Sequence, residues 1–192
     1  IANSDGSKTF TNVYTPYEST GSWIPKATKV VKGGEMKEFT LEFADNPDFN
    51  SAQTVKTRVD GDKSQTLSFL NASGEGIKYS LSDITKKPFT AGDPTGRGAS
   101  KTFPYYVREK NESSIFSHYK FDRSVYKLDV TMTDQKDGTI TATKVTYTQI
   151  KDADGNAIDE GRQTPVDYND GSDTTKPKST PTFTNTYSTS LP

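Results

Sequence analysis

Three polar side chains stand where an alternating strand pattern puts apolar ones. In "TFTNTY" (182–187), Phe183, Asn185 and Tyr187 share one face and the three threonines the other. A strand that buries those aromatics therefore takes the Asn185 carboxamide inside with them. In "FPYYVREK" (103–110), Glu109 follows Phe103, Tyr105 and Val107 at the same two-residue step. In "KATKVVKGG", Lys29 shares a face with Ala27 and Val31; Val30 on the other face makes this strand less one-sided, and Lys32 is a rival amine. Burying an amine, a carboxyl and a carboxamide separately would cost several kcal/mol each. Together they form a reactive set, because desolvation lowers the pKa of a lysine and raises that of a glutamic acid. A neutral Lys29 can attack, while a protonated Glu109 donates to the carboxamide oxygen of Asn185 and then relays protons so that ammonia leaves. The product is an amide between two side chains. The competing reading is a surface lysine, a strand-end glutamate and a core amide bonded to main chain, and parity alone leaves both open.

The elements that must position this set are strands. "EFTLEF" and "VYKLDVTMT" alternate with period two, and "TVKTRV", "QTLSFL", "GIKYSLSDI", "KTFPYYVREK", "TITATKVTYTQI" and "TFTNTY" are further candidates. Turn chemistry at Asp60-Gly61, Asp137-Gly138 and Asp154-Gly155 punctuates them. Eight or nine short strands of this kind make an all-β, antiparallel, Ig-like sandwich. A change of apolar parity between Ala142 and Val145 predicts a bulge. Residues 86–102 and 151–180, rich in Gly, Pro, Asp and Thr, are expected to be long inserted loops.

At 192 residues the chain suits one sizeable domain plus a fragment. Its net charge of −1, with both signs interspersed, gives no field for nucleic acid or anionic lipid. No run is long enough to cross a bilayer, so no membrane insertion is expected in this segment. With no cysteine and the single histidine His118, thiol nucleophiles, disulfides and histidine-rich metal cages are excluded. No spacing nominates the paired carboxylates of a glycosidase.

In order, "ATKVVKGGEMKEFTLEF", "FPYYVREK", "KFDRSVYKLDVTMTDQKDGTITATKVTY" and "PTFTNTY" resemble the segments of the streptococcal-type pilin isopeptide-linkage domain of Gram-positive pili and surface adhesins, a CnaB-like domain. The resemblance runs from about residue 27 to residue 187. It implies that Lys29 and Asn185 are the cross-linked pair and that Glu109 is the intramolecular catalyst, in a single turnover rather than as an enzyme, with no cofactor and no metal. It also implies a structural stalk or shaft module of a pilus or adhesin, extracellular and cell-wall-anchored, whose partners are adjacent domains of the same surface protein or pilus. Phe-Thr-Asn-X-Tyr occurs twice, in "KTFTNVY" and "PTFTNTY". On this resemblance residues 1–16, with Asn12, are the closing strand of a preceding domain, 17–26 a linker and 27–192 the isopeptide-linked sandwich.

A second reading is a ligand-binding adhesin domain that recognises a host glycan or matrix protein through its long loops, with Phe89, Arg97, Tyr168 and "DYNDGSD" as contacts. Lys26 in "GSWIPKA" faintly resembles the pilin element through which sortases join subunits, but a linker lysine explains it more simply. Asp152, Asp154 and Asn156 lack the glycine and glutamate of a calcium loop and read as a hairpin turn. Asn71 and Asn111 fit the glycosylation pattern, which carries no weight with the bacterial source that the resemblance implies.

Overall fold

A computed structural model describes residues 6–10, 18–94 and 97–191 of the chain. The expected closing strand around Asn12 lies outside the described residues. The strands, in order, are β1 (Thr20–Trp23), β2 (Lys26–Lys32), β3 (Thr40–Ala44), β4 (Gln53–Lys56), β5 (Ser64–Ser68) and β6 (Ile77–Ser80). After the one-turn helix α1 (Leu81–Ile84) come β7 (Ser100–Glu109), β8 (Tyr119–Lys120), β9 (Val125–Asp134), β10 (Ile140–Lys151), β11 (Val166–Asp167) and β12 (Thr182–Tyr187). A six-stranded sheet, β11-β10-β9-β7-β3-β4, faces a four-stranded one, β5-β2-β12-β8, and β1 pairs with β6 in a third. The result is the expected Ig-like sandwich, with one departure: β2 and β12 run parallel, whereas every other pair among the described strands is antiparallel.

Strand parity decides what is buried. In β7, Tyr105, Val107 and Glu109 are buried and the intervening residues are not; in β9, Leu128, Val130 and Met132 alternate in the same way. These side chains meet Ala27, Leu41, Phe43, Leu67, Phe69 and Phe183 in the main core. A second cluster of Val31, Met36, Phe39, Tyr119 and Phe121 closes the end of the sandwich around Phe39, whose ring lies edge-on to Phe116, Tyr119 and Phe121 at 5.1–5.5 Å. The predicted bulge appears as a register shift between Ala142 and Lys144.

Three departures from the sequence reading have local causes. Thr20–Trp23, expected in a linker, is strand β1: Thr20 N donates to Gly138 O, and Ser19 Oγ donates to the buried Asp134 at 2.6 Å. Gly21 lies so close to β10 that a Cβ there would stand 1.8 Å from the Ile140 carbonyl oxygen, so only glycine admits this approach. Residues 76–84, expected as a single strand, end in α1, because the Ser80 side chain accepts from Asp83 N and the Asp83 carboxylate accepts from Ser80 N, a reciprocal cap. The excursions are also more structured than expected. Ser100–Thr102 belong to β7, while 151–180 contains β11 and a bridge between Asn169 and Ser179.

Candidate functional site

Strands β2 and β12 are neighbours in register, Lys29 beside Phe183 and Val31 beside Asn185, so Lys29 and Asn185 point from adjacent strands into the same interior. Glu109 enters from the facing sheet, at the end of β7 opposite Leu41. The set therefore bridges the two layers. Lys29 and Asn185 are 0% exposed and Glu109 6%.

One carboxylate oxygen joins the other two side chains. Glu109 Oε2 lies 3.2 Å from Lys29 Nζ and accepts from Asn185 Nδ2 at 3.0 Å. Lys29 Nζ also donates to the carbonyls of Val30 (3.2 Å) and Phe183 (3.3 Å), and it stands 4.9 Å from the centre of the Phe39 ring. Glu109 Oε1 is buried with no hydrogen-bond partner among the described residues. Burial drives both groups toward their neutral forms: it pushes Lys29 down to about 8 and Glu109 up to about 7, against the attraction each has for the other. The arrangement can thus pass a proton from amine to acid inside a dry interior.

The carboxamide orientation follows from its neighbours. Asp122 N, which can only donate, lies 2.9 Å from Asn185 Oδ1, so Nδ2 must face Glu109. This corrects the sequence expectation that Glu109 donates to the carboxamide oxygen: the glutamate sits on the nitrogen side, and a main-chain N–H holds the oxygen. Sequence reasoning missed Asp122. It is buried in the connection between β8 and β9, where its carboxylate accepts from Ser124 N at 3.0 Å and from Thr184 N at 2.9 Å.

The other candidates fall elsewhere. Lys32 is exposed at the end of β2. Lys26 opens β2 with its Nζ 3.8 Å from Asp170. Phe89 and Tyr168 pack against the core rather than projecting, and the Tyr168 hydroxyl accepts from Lys26 N at 3.1 Å. Arg97 is exposed beside Asp93, whose carboxylate accepts from its main-chain N–H. His118 is half-buried, edge-on to Tyr187. The Asp152 carboxylate accepts from the N–H groups of Asp154 and Asn156, as a turn requires, and the described residues contain no group of three or more potential metal ligands.

No curated protein matches the chain. Among solved structures it is similar to a mutant of the major pilin from Streptococcus pyogenes, at 13% identity over 87% of this chain and 51% of that one, with a TM-score of 0.39. It is likewise similar to the T-13 major pilin protein of the same organism, at 15% identity over 90% of this chain and 55% of that one, with a TM-score of 0.38. The chain spans about half the length of either. The family described as "FctA: Spy0128-like isopeptide containing domain" matches residues 25–188, a span that includes Lys29, Glu109 and Asn185. The chain belongs to that family, and with it to the pilin isopeptide-linkage domains that its ordered segments resemble.

Proposed function

We propose that this chain is a structural shaft or stalk module of a Gram-positive surface pilus or adhesin, held closed by an amide that forms spontaneously between Lys29 and Asn185. The observation that carries the reading is the single oxygen of Glu109 in contact with both the Lys29 amine and the Asn185 amide nitrogen, in an interior none of the three side chains leaves. The chemistry runs in balance. The Lys29 ammonium passes one proton to Glu109, and its two remaining N–H bonds stay on the Val30 and Phe183 carbonyls. The freed lone pair attacks Asn185 Cγ, and the electrons of the C=O bond move onto Oδ1. Glu109 then gives its proton to Nδ2 and takes one from Nζ; the Cγ–Nδ2 bond breaks, the C=O bond re-forms, and ammonia departs. Glu109, ionised at the outset, ends protonated after one turnover, holding the proton that the ammonium gave up.

Such a bond joins β2 and β12, the sheet's first and last strands in chain order and neighbours in space, so tension entering near Lys29 and leaving near Asn185 bypasses the chain between them. The setting that goes with this role is extracellular and attached to the cell wall, with neighbouring modules of the same surface protein or pilus as partners. Among the described residues no helix is long and apolar enough to cross a membrane. Intact mass tests the reading: the protein should weigh one ammonia less than its sequence, and Glu109→Ala should weigh the full amount. A wild-type chain of full mass overturns it.

A second reading, recognition of a host glycan or matrix protein, is favoured by one observation. A cleft of about 580 Å³ opens under the 166–177 segment, walled by Trp23 and Tyr168 and rimmed by Asp167, Asp170 and Asp173. Because this segment is packed onto the body, Asp173→Ala in a glycan and matrix-protein binding screen is a cleaner test than deleting 151–180. Binding by the wild type that the variant loses would support it, and no binding by either would remove it.

A further inference from the structure

We infer that the main-chain N–H of Asp122 is a catalytic group of the cross-linking step, the donor that stabilises the negative charge developing on Asn185 Oδ1, and that the Asp122 carboxylate is the clamp that aims it. The inference rests on the Lys29–Asn185 reading and extends it to the one atom that Glu109 does not serve. When Nζ attacks Cγ, the electrons displaced onto Oδ1 have no water to meet, because Asn185 is 0% exposed. A fixed dipole aimed at that oxygen is the remaining source of stabilisation, and such donors act most strongly in dry, preorganised sites. Asp122 N lies 2.9 Å from Oδ1. The contact is short enough to tighten as charge builds.

The aim of this N–H is set twice over. One carboxylate oxygen of Asp122 accepts from Ser124 N at 3.0 Å, closing a turn on its own chain. The other accepts from Thr184 N at 2.9 Å, the residue immediately before Asn185. The connection that carries the donor and the strand that carries the acceptor are thus locked to each other by the side chain of the donor residue. Asp122 is 9% exposed, so its carboxylate is anchored by these main-chain groups rather than by solvent. A residue that only filled space here would not need its N–H on Asn185 and its carboxylate on Thr184, the residue just before it. Its negative charge also favours protonated forms of Glu109 and Lys29 alike, so its loss moves the pH range of reaction as well as its rate.

The direct test replaces Asp122 with malic acid in the full chain, by suppressor-directed cell-free synthesis. The 121–122 amide becomes an ester, the N–H is deleted and the carboxylate is kept. Mass followed over time after synthesis should show ammonia loss slowed about 100-fold relative to wild type, with the same final deficit of one ammonia from its own sequence mass and a circular dichroism spectrum like that of Lys29→Ala. Should the ester chain fail to fold, Asp122→Asn serves. It keeps an acceptor for Ser124 N–H, loses the charge and the good acceptor for Thr184 N–H, and should react more slowly with its pH–rate profile displaced to lower pH. Loss of ammonia at the wild-type rate and pH by whichever variant folds overturns the role of Asp122 and leaves the cross-link standing. A wild-type chain that never loses ammonia defeats the underlying reading instead.

Discussion

Asn169 and Asn185 are the same side chain in two buried settings, and the contrast separates a carboxamide that serves as a staple from the one proposed to react. Asn169 Nδ2 donates to the carbonyls of Asp173, Lys176 and Pro177, and its Oδ1 accepts from the N–H groups of Gly171 and Asp173. All of these partners are main chain, so the residue acts as a staple for its loop. Asn185 has one main-chain donor on its oxygen and an acid on its nitrogen, and that acid also touches an amine. On the proposed reading, burial alone makes no reaction. The proposed one needs groups beside the amide that burial shifts toward their neutral forms.

Removing the bond should have the largest effect. Lys29→Ala or Asn185→Ala should restore the full mass and forgo about 5 kcal/mol of loop-closure stabilisation, lowering the melting temperature by about 10–20 °C. If calorimetry shows no drop, the two asparagines are alike after all.

Next comes a pH effect in the unbonded Asn185→Ala chain, which keeps the Lys29–Glu109 pair. Glu109 has a folded pKa raised from 4.5 to about 7, so the folded state binds more protons than the unfolded one and stability falls as pH rises through that interval. Lys29 has a folded pKa lowered from 10.5 to about 8, so the unfolded state binds more protons and stability rises again from about 8 toward 10.5. Urea midpoints across pH should trace a trough near 7–8. The bonded chain, whose Lys29 no longer titrates, should lack the alkaline rise.

Asn169→Ala should cost about 1–3 kcal/mol by leaving loop groups without partners, and its mass should still be short by one ammonia. A variant at 169 with full mass would mean that the two regions are coupled. The smallest change is expected for Lys56→Ala. Its Nζ lies 3.3 Å from Glu38, almost the Lys29–Glu109 distance, but both side chains are mostly exposed, so denaturation should report less than about 1 kcal/mol.

The burial of Lys29, Glu109 and Asn185 was legible because each continues an apolar row in a strand long enough to show its period. Asp122 was not, since it lies in a connection without periodicity and acts partly through its main chain. The strands at Thr20–Trp23, Tyr119–Lys120 and Val166–Asp167 are two to four residues long, too short for alternation to declare itself; their pairing is dictated by the surfaces they land on. The segment 151–180 read as loop because of its Gly, Pro and Asp content, yet its order comes from closure around the Asn169 side chain, which no local pattern encodes. The adjacency of β2 and β12 likewise needs the whole chain, since periodicity identifies strands but not their neighbours.

That adjacency has a geometric outcome beyond chemistry. Because β2 and β12 point the same way, the polypeptide arrives at one pole of the sandwich and departs from the other. Copies threaded in series would run on in one direction without the thread doubling back.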